Sequence, residues 1–258
     1  MMNRVVCVVI LTGMCMLASV SCTCRYSCGE NMDIDTTEAL LVFYPHYNAI
    51  KFVCSEKPDV NDGSILFCCT AAFSKDYSII IRNEKICGAH VVDGNFYEGY
   101  HSHLINGGFI YDSGKYRFVH DSLRQRMQEL DKRRGTYGFC QMRLDTSVVS
   151  IPSDSIWFDC LGIRGYRNME GRARVSMTKF HYRALCEKDG KLCIVEARNK
   201  VSLTQFRKSL GDYGVSHALY LDTGVGWSYS WYRDNEGKPH ELHPYVHPFN
   251  TNWIIFTK

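Results

Sequence analysis

The feature that most constrains this 258-residue chain is a succession of short apolar runs broken by glycine, aspartate and asparagine. EALLVFY (38–44), AIKFVCS (49–55), SILFCCTAAF (64–73), YSIIIRN (77–83) and GAHVVDGNFY (88–97) open the series. GGFIYDSGKYRFVH (107–120), GFCQMRL (138–144), FHYRALCEKDGKLCIVEAR (180–198), HALYLD (217–222) and NWIIFTK (252–258) continue it. Valine, isoleucine, phenylalanine and tyrosine fill these runs and turn formers separate them, which is the pattern of strands. Two segments read as helices. In 122–134, Asp121 is the expected N-cap, basic residues fill the last turn and Gly135 is the stop. In 203–210, Ser202 and Gln205 form a capping box and Gly211 is the expected stop. No regular β-α alternation and no phosphate-loop glycine pattern occurs, so the expected class is α+β, a strand-rich mixed sheet with two main helices.

Hydrophobic residues make up 45% and charged residues 22%, enough to bury one large core, placed at 38–258. A formal charge of +3 leaves no footprint for a nucleic-acid partner. The N-terminus is set apart from the fold. Arg4 follows the first residues, an apolar stretch runs to Val20, and small residues precede Cys22 in LASVSC. Residues 1–21 therefore read as a signal peptide too short for a comfortable membrane span. The pattern resembles a bacterial lipoprotein signal, with Cys22 as the lipidation site and membrane anchor and 22–37 as a polar tether; plain secretory cleavage nearby is the alternative. Either implies export, and the first implies a periplasmic or cell-surface lipoprotein.

Thirteen cysteines in an exported chain invite a disulfide framework. Most of those in the body sit inside apolar runs, where cysteine behaves as a small buried hydrophobe. The hairpin around Asp189-Gly190 carries a two-residue turn signal, which sets Lys188 opposite Lys191. Counting back places Cys186 opposite Cys193 at a hydrogen-bonded pair, a separation that disfavours a disulfide. It also sets Arg183 opposite Glu196 at a close pair within ion-pair reach. That pair is either a surface contact worth under about 1 kcal/mol or an arginine held rigid to grip an anion.

The strand HALYLD runs straight into TGVGWSYSWYRD, so an acid, Asp222, precedes a glycine-spaced loop and a run of aromatics. Asp222 there can cap a turn through its own side chain or offer a carboxylate beside exposed N–H groups. The order of an arginine-bearing hairpin RALCEKDGKLCIVEAR, a capped helix SLTQFRKSLGDYGV and the strand HALYLDTGVG resembles the phosphodiester glycosidase family. Members carry an Arg-Ala or Arg-Ser strand, a DG-lysine turn, a helix and an ALNLDGGGSS signature, which appears here as ALYLDTGVGW. Asp222, Gly224, Gly226 and Arg183 match. Tyr220, Thr223 and Trp227 depart, and the upstream NGG is replaced by Thr70-Ala71-Ala72.

The resemblance implies an exported lipoprotein hydrolase that cleaves a sugar phosphodiester without a cofactor. The alternative is a non-catalytic glycan-binding lipoprotein that keeps the fold. A glycosidic centre calls for carboxylates and a phosphodiester for arginine, histidine or backbone N–H groups. The expected catalytic residues are Asp222, Arg183, His90 and Glu196. Expected substrate-binding residues are Gln141, Thr70, Thr223 and Gly224, with Trp227, Trp231 and Tyr232 as stacking surfaces. The ligand is a carbohydrate or sugar phosphate. His240, His243 and His247 in HELHPYVHP invite a metal, but the interspersed prolines and the lack of a ligand-bearing helix argue against one.

Overall fold

A computed structural model of the chain describes residues 30–54, 56–74, 86–102, 104–145, 163–167, 173–177, 179–223, 229–244 and 252–258. The elements run in chain order. β1 (Met32–Thr36), β2 (Leu40–Pro45), β3 (Ala49–Cys54) and β4 (Ile65–Thr70) come first, then β5 (His90–Val92), β6 (Asn95–Tyr97), β7 (Gly107–Asp112) and β8 (Lys115–Val119). α1 (Leu123–Gln128), β9 (Tyr137–Gln141), β10 (Ile163–Arg167), β11 (Ala173–Met177), β12 (Arg183–Lys188) and β13 (Lys191–Ala197) follow. α2 (Leu203–Tyr213), β14 (His217–Leu221), β15 (Ser230–Arg233), β16 (Pro239–His243) and β17 (Asn252–Thr257) complete the chain. The run 77–83 lies outside the described residues, and β1 falls within the segment 22–37.

These strands form three five-stranded sheets, β1-β2-β13-β12-β14, β16-β15-β4-β17-β3 and β6-β5-β9-β7-β8, with β10-β11 as a separate ribbon. Strands hold 50% of the described residues and helices 10%, so the protein is mainly β and the α+β expectation is corrected. Every strand pair described is antiparallel, so the sheets are not mixed either. The physical reason lies in the helices. Around α1, Ser122 sits in the left-handed region (φ 49°) and makes no side-chain cap, and Met127 is the one helix residue buried. Beyond Gln128 the backbone turns to i→i−3 bonds, Leu130 to Met127 and Asp131 to Gln128, and Lys132 has φ 64°. A polar segment with one anchor and no cap does not propagate. α2 is the opposite case. The Ser202 hydroxyl accepts from the Gln205 N–H at 3.2 Å, and the Gln205 side chain returns a bond to the Ser202 N–H at 3.0 Å. Leu203, Phe206 and Leu210 bury one stripe. The helix runs through Gly211 and stops at Gly214, whose φ of 85° is the left-handed C-cap.

The first two sheets face each other. Phe43, Leu185, Ile194, Leu219 and Leu221 pack against Phe52, Phe67, Cys69, Ile254 and Phe256, and Phe109 and Phe139 of the third sheet close the same core. α2 covers the other face of the first sheet, where Tyr182, Ala184, Val195, Tyr220 and Phe206 are buried. β4, covered on both faces, is buried at every residue, which explains the unbroken apolar run ILFCCT. Packing demands glycine most strictly at one backbone crossing. Gly99 has φ 66°, and a Cβ there would lie 2.0 Å from the Gly88 carbonyl oxygen. Gly99→Ala should destabilise the protein by about 2–4 kcal/mol through backbone strain and overpacking. Chemical denaturation would check it; a change below 1 kcal/mol would show that the crossing relaxes freely.

Candidate functional site

The register read from the turn holds. Arg183 pairs with Glu196, Cys186 with Cys193 and Lys188 with Lys191, and both of those cysteines are free thiols. Because side chains alternate across a strand, Arg183 and Glu196 share the face of Leu185 and Ile194 and point into the space between the first two sheets. Arg183 is 0% exposed and Glu196 6%. The Arg183 Nε donates to Glu196 Oε1 at 2.5 Å, and Nη2 donates to the Ser230 hydroxyl at 2.6 Å. Ser230 in turn donates to Glu196 Oε1 at 3.4 Å, and His243 Nε2 lies 3.3 Å from Glu196 Oε2. β15 and β16 pair Ser230 with His243, so the second sheet delivers both together.

Burial raises the Glu196 carboxyl pKa, but the Arg183 guanidinium and His243 outweigh burial and hold it down at about 2. Glu196 is therefore an anion at all physiological pH, and its chemistry is that of a counter-ion that fixes Arg183, not of a proton donor. Burial pushes the nearby Cys69 thiol up to about 12 against the pull of Arg183, so it is a poor nucleophile at neutral pH. Removing an ion pair from water costs several kcal/mol per charge, and the pair seldom returns more than that. A fully buried, hydrogen-bonded arginine in a core able to accept leucine is thus poorly explained by stability.

Asp222 lies one residue beyond the strand position that pairs with Arg183, since Arg183 is opposite Leu221. Asp222 is 5% exposed, and its N–H donates to the Ala71 carbonyl at 2.9 Å. The same carbonyl accepts from Gln141 Nε2 at 3.3 Å, while Gln141 Oε1 accepts from the Met142 N–H at 2.8 Å. Thr70, fully buried at the end of β4, bonds through its N–H to the Tyr229 carbonyl at 3.1 Å. Ala72 is clamped by Asn252, which accepts its N–H at 2.7 Å and donates to its carbonyl at 3.1 Å. The Thr70-Ala71-Ala72 segment is therefore where ends of all three sheets meet. Thr223 (6% exposed) turns back: its hydroxyl is 2.9 Å from the Tyr220 hydroxyl, and its N–H donates to that oxygen at 3.1 Å. Burial, with the Asp222 charge adding to it, raises the Tyr220 phenol far above its ordinary value and keeps it neutral.

His90 borders this group. It is opposite Phe139 in β9, on the face it shares with Gln141, whose diagonal position lies about 7–8 Å away. The ring stacks on Tyr97 at 5.2 Å and meets Phe52 edge-on at 5.8 Å. Nδ1 donates to the Gly88 carbonyl at 3.1 Å, which leaves Nε2 as an acceptor with no hydrogen-bond partner. Burial lowers its pKa to about 4, so it is neutral at pH 7. An unfolded histidine titrates near 6.5. Stability is therefore complete above that value and falls as pH drops toward 4, by about 3 kcal/mol at pH 4. Urea unfolding across pH 7.5 to 4 should show this decline, and His90→Phe should flatten it. A variant with the wild-type slope would move the effect to another group.

The remaining aromatics separate. Trp231, 0% exposed, faces away from Arg183 and packs with Cys68, Tyr229, Trp253 and Ile255 on the outer side of the second sheet. Tyr232 faces the inter-sheet core, tilted 5.1 Å from Phe43 and stacked on His240 at 5.0 Å. Gly224, Gly226, Trp227, Cys22, Cys160 and His247 lie outside the described residues. Among the described residues no cluster of three His, Cys, Asp or Glu side chains is placed to hold a metal ion. The structure thus joins Arg183, Glu196, Asp222, Gln141, Thr70 and Thr223 at one end of the sheets. It adds Ser230, His243 and Asn252, which sequence reasoning did not assign to the site. Only the cross-sheet pairing brings Ser230 and Asn252 here, and no local pattern marks either. His243 was visible in HELHPYVHP, as a metal candidate.

No protein-family model matches the chain and no curated protein matches it. Among solved structures it is similar to the catalytic domain of zebrafish N-acetylglucosamine-1-phosphodiester alpha-N-acetylglucosaminidase, auto-inhibited by its pro-peptide. The TM-score is 0.54 at 11% identity, covering 88% of this chain and 78% of that one. It also aligns with a hypothetical protein from Synechocystis, at TM-score 0.47 and 12% identity over 88% of this chain and 60% of that one. The first likeness is one of fold.

Proposed function

We propose that the chain is a hydrolase of sugar phosphodiesters, exported and anchored by lipid on Cys22, with its active site at the sheet end that carries Arg183 and Asp222. The observation that carries this reading is the buried Arg183–Glu196–Ser230 cluster, one strand position from Asp222. That cluster costs desolvation energy that an apolar core would not, and a site that handles an anion gives it a purpose. The similarity in fold to a glycosidase catalytic domain agrees with it.

In this reading Asp222 supplies the carboxylate at the glycosidic carbon, where positive charge develops. Arg183 lies beneath the site as a fixed positive charge, oriented by Glu196 and Ser230, and acts on the phosphodiester through a poorly screened interior. His243, whose side chain is 25% exposed, is the member of the cluster that can meet the phosphate and hand a proton to the leaving oxygen. Gln141 and Asn252 hold the Ala71-Ala72 backbone under Asp222 and are positioning residues. Turnover of a panel of sugar-1-phosphodiesters, beginning with an N-acetylglucosamine-1-phosphodiester, tests the reading. Release of free sugar by the folded chain supports it, and a folded chain inert on the whole panel removes it.

The binding-only alternative has one observation in its favour. The Asp222 N–H and one of the two Gln141 Nε2 hydrogens are spent on the Ala71 carbonyl, so neither of those donors is offered to a substrate. Saccharide binding at this end without turnover would select that alternative.

A further inference from the structure

The hairpin of β12 and β13 has a second end. Lys188 and Lys191 lie five residues along the strands from Arg183 and Glu196, about 17 Å at roughly 3.4 Å per residue. There a cavity of about 850 Å3 opens between the turn, β1, β2 and the last residue of α2. Its size falls within the roughly 300–1,000 Å3 typical of small-molecule sites. Tyr44, Tyr47, Tyr116 and Tyr213 are among its lining residues, with the carboxylates of Asp33 and Asp35. The β1 register places both acids on one face of the strand, and Asp33 is opposite Tyr44.

The phenols are largely committed to the protein. The Tyr213 hydroxyl donates to Asp35 Oδ2 at 2.7 Å and lies 3.0 Å from the Tyr44 hydroxyl, and the Tyr116 hydroxyl donates to the Gly190 carbonyl at 3.1 Å. What these residues offer a ligand is therefore ring surface. One carboxylate stays open. Asp33 Oδ2 is 3.0 Å from His46 Nε2 and the Asp33 side chain is 37% exposed, whereas Oδ1 of Asp33 and Oδ1 of Asp35 are buried and Asp35 Oδ2 is taken by Tyr213. A carboxylate has about four acceptor positions, so Asp33 retains capacity for a donor brought from outside.

Charge decides between ligand classes. Asp33, Asp35 and Asp189 oppose an anion. Lys188 already holds its ammonium 5.2 Å from the centre of the Tyr213 ring, and with Lys191 it opposes a cation. Tyrosine faces beside the exposed Asp33 carboxylate, in a lining of near-balanced charge, match a ligand with apolar ring faces and hydroxyl donors. We propose that this cavity is a second binding site, for a neutral saccharide, remote from Arg183 and Asp222. Such a site would hold a glycan chain while another part of it, or another molecule, is handled at the far end of the sheet. The proposal does not rest on the hydrolase reading, because it concerns different residues and requires no turnover.

Calorimetric titration of the full chain tests it, with N-acetylchitotriose and mannotriose as neutral probes and choline and inorganic phosphate as charged ones. A neutral trisaccharide should bind, and Asp33→Asn and Tyr213→Ala should each weaken binding at least about tenfold through weakened hydroxyl acceptance and lost stacking. Asp222→Asn should leave that affinity unchanged. Asp33→Asn changes no volume, and an unchanged melting temperature would show that its effect is local. The proposal is overturned if neither trisaccharide binds, if choline or phosphate binds in their place, or if binding ignores Asp33→Asn and is lost in Asp222→Asn.

Discussion

Glu196→Ala is expected to destabilise the protein by about 3–5 kcal/mol, because it leaves the Arg183 guanidinium buried without its counter-ion. The carboxylate is 2.5 Å from the Arg183 Nε and also receives Ser230, so its loss unsettles two further groups. Denaturant unfolding measures this as a fall in midpoint at constant slope. The informative companion is the double variant Arg183→Met/Glu196→Leu. Replacing a buried ion pair by apolar side chains of similar volume is often neutral or stabilising, so the double variant should recover most or all of the lost stability. If the single substitution cost under about 1 kcal/mol, the pair would be behaving as a solvent-screened surface contact, against its burial. The pH dependence has a definite sign. With a folded pKa of about 2 against an ordinary value near 4.5, Glu196 contributes stability that is complete above 4.5 and is lost as pH falls from 4.5 toward 2.

The second large effect is on activity. Asp222→Asn keeps the size of the side chain and removes the charge, and the strand end is held independently by the bond from the Asp222 N–H to the Ala71 carbonyl. Turnover of a sugar-1-phosphodiester should fall by about 10²–10⁴-fold, the range expected when a carboxylate acting on the reacting atoms is lost. The loss should appear in kcat more than in KM, because a charge that acts on the transition state contributes little to ground-state binding. A variant with wild-type kcat would assign Asp222 to the turn at the end of β14 and nothing more.

Much of this site was legible before any fold was known, and the limits are physical. Asp189 and Gly190 carry φ values of 52° and 71°, as the two-residue turn requires, and that local chemistry sets the whole register down to Arg183 and Glu196. The capping box at Ser202 was readable for the same reason: every group in it lies within four residues. Ser230 and Asn252 were not readable, and His243 was legible only as a metal candidate. Each enters through a partner 34 to 180 residues away in sequence, and no local pattern encodes such a contact. The class was misjudged at 122–134, where an Asp121 cap, a basic last turn and a Gly135 stop suggested a helix twice as long as the one that Met127 anchors. Trp231 shows the opposite ambiguity. An aromatic beside a glycine-rich loop has the same sequence signature whether it lines a ligand or, as here, fills the outer core of the second sheet.

The central claim is that the buried Arg183–Glu196 pair serves chemistry at the Asp222 end of the sheets rather than the stability of the fold. It is tested most directly by measuring sugar-1-phosphodiester turnover and unfolding stability together on the wild type and on Arg183→Met/Glu196→Leu. The account predicts a cleaving wild type and a double variant that is as stable but inert. A double variant that still cleaves at the wild-type rate, or a folded wild type that cleaves nothing on the panel, would contradict it.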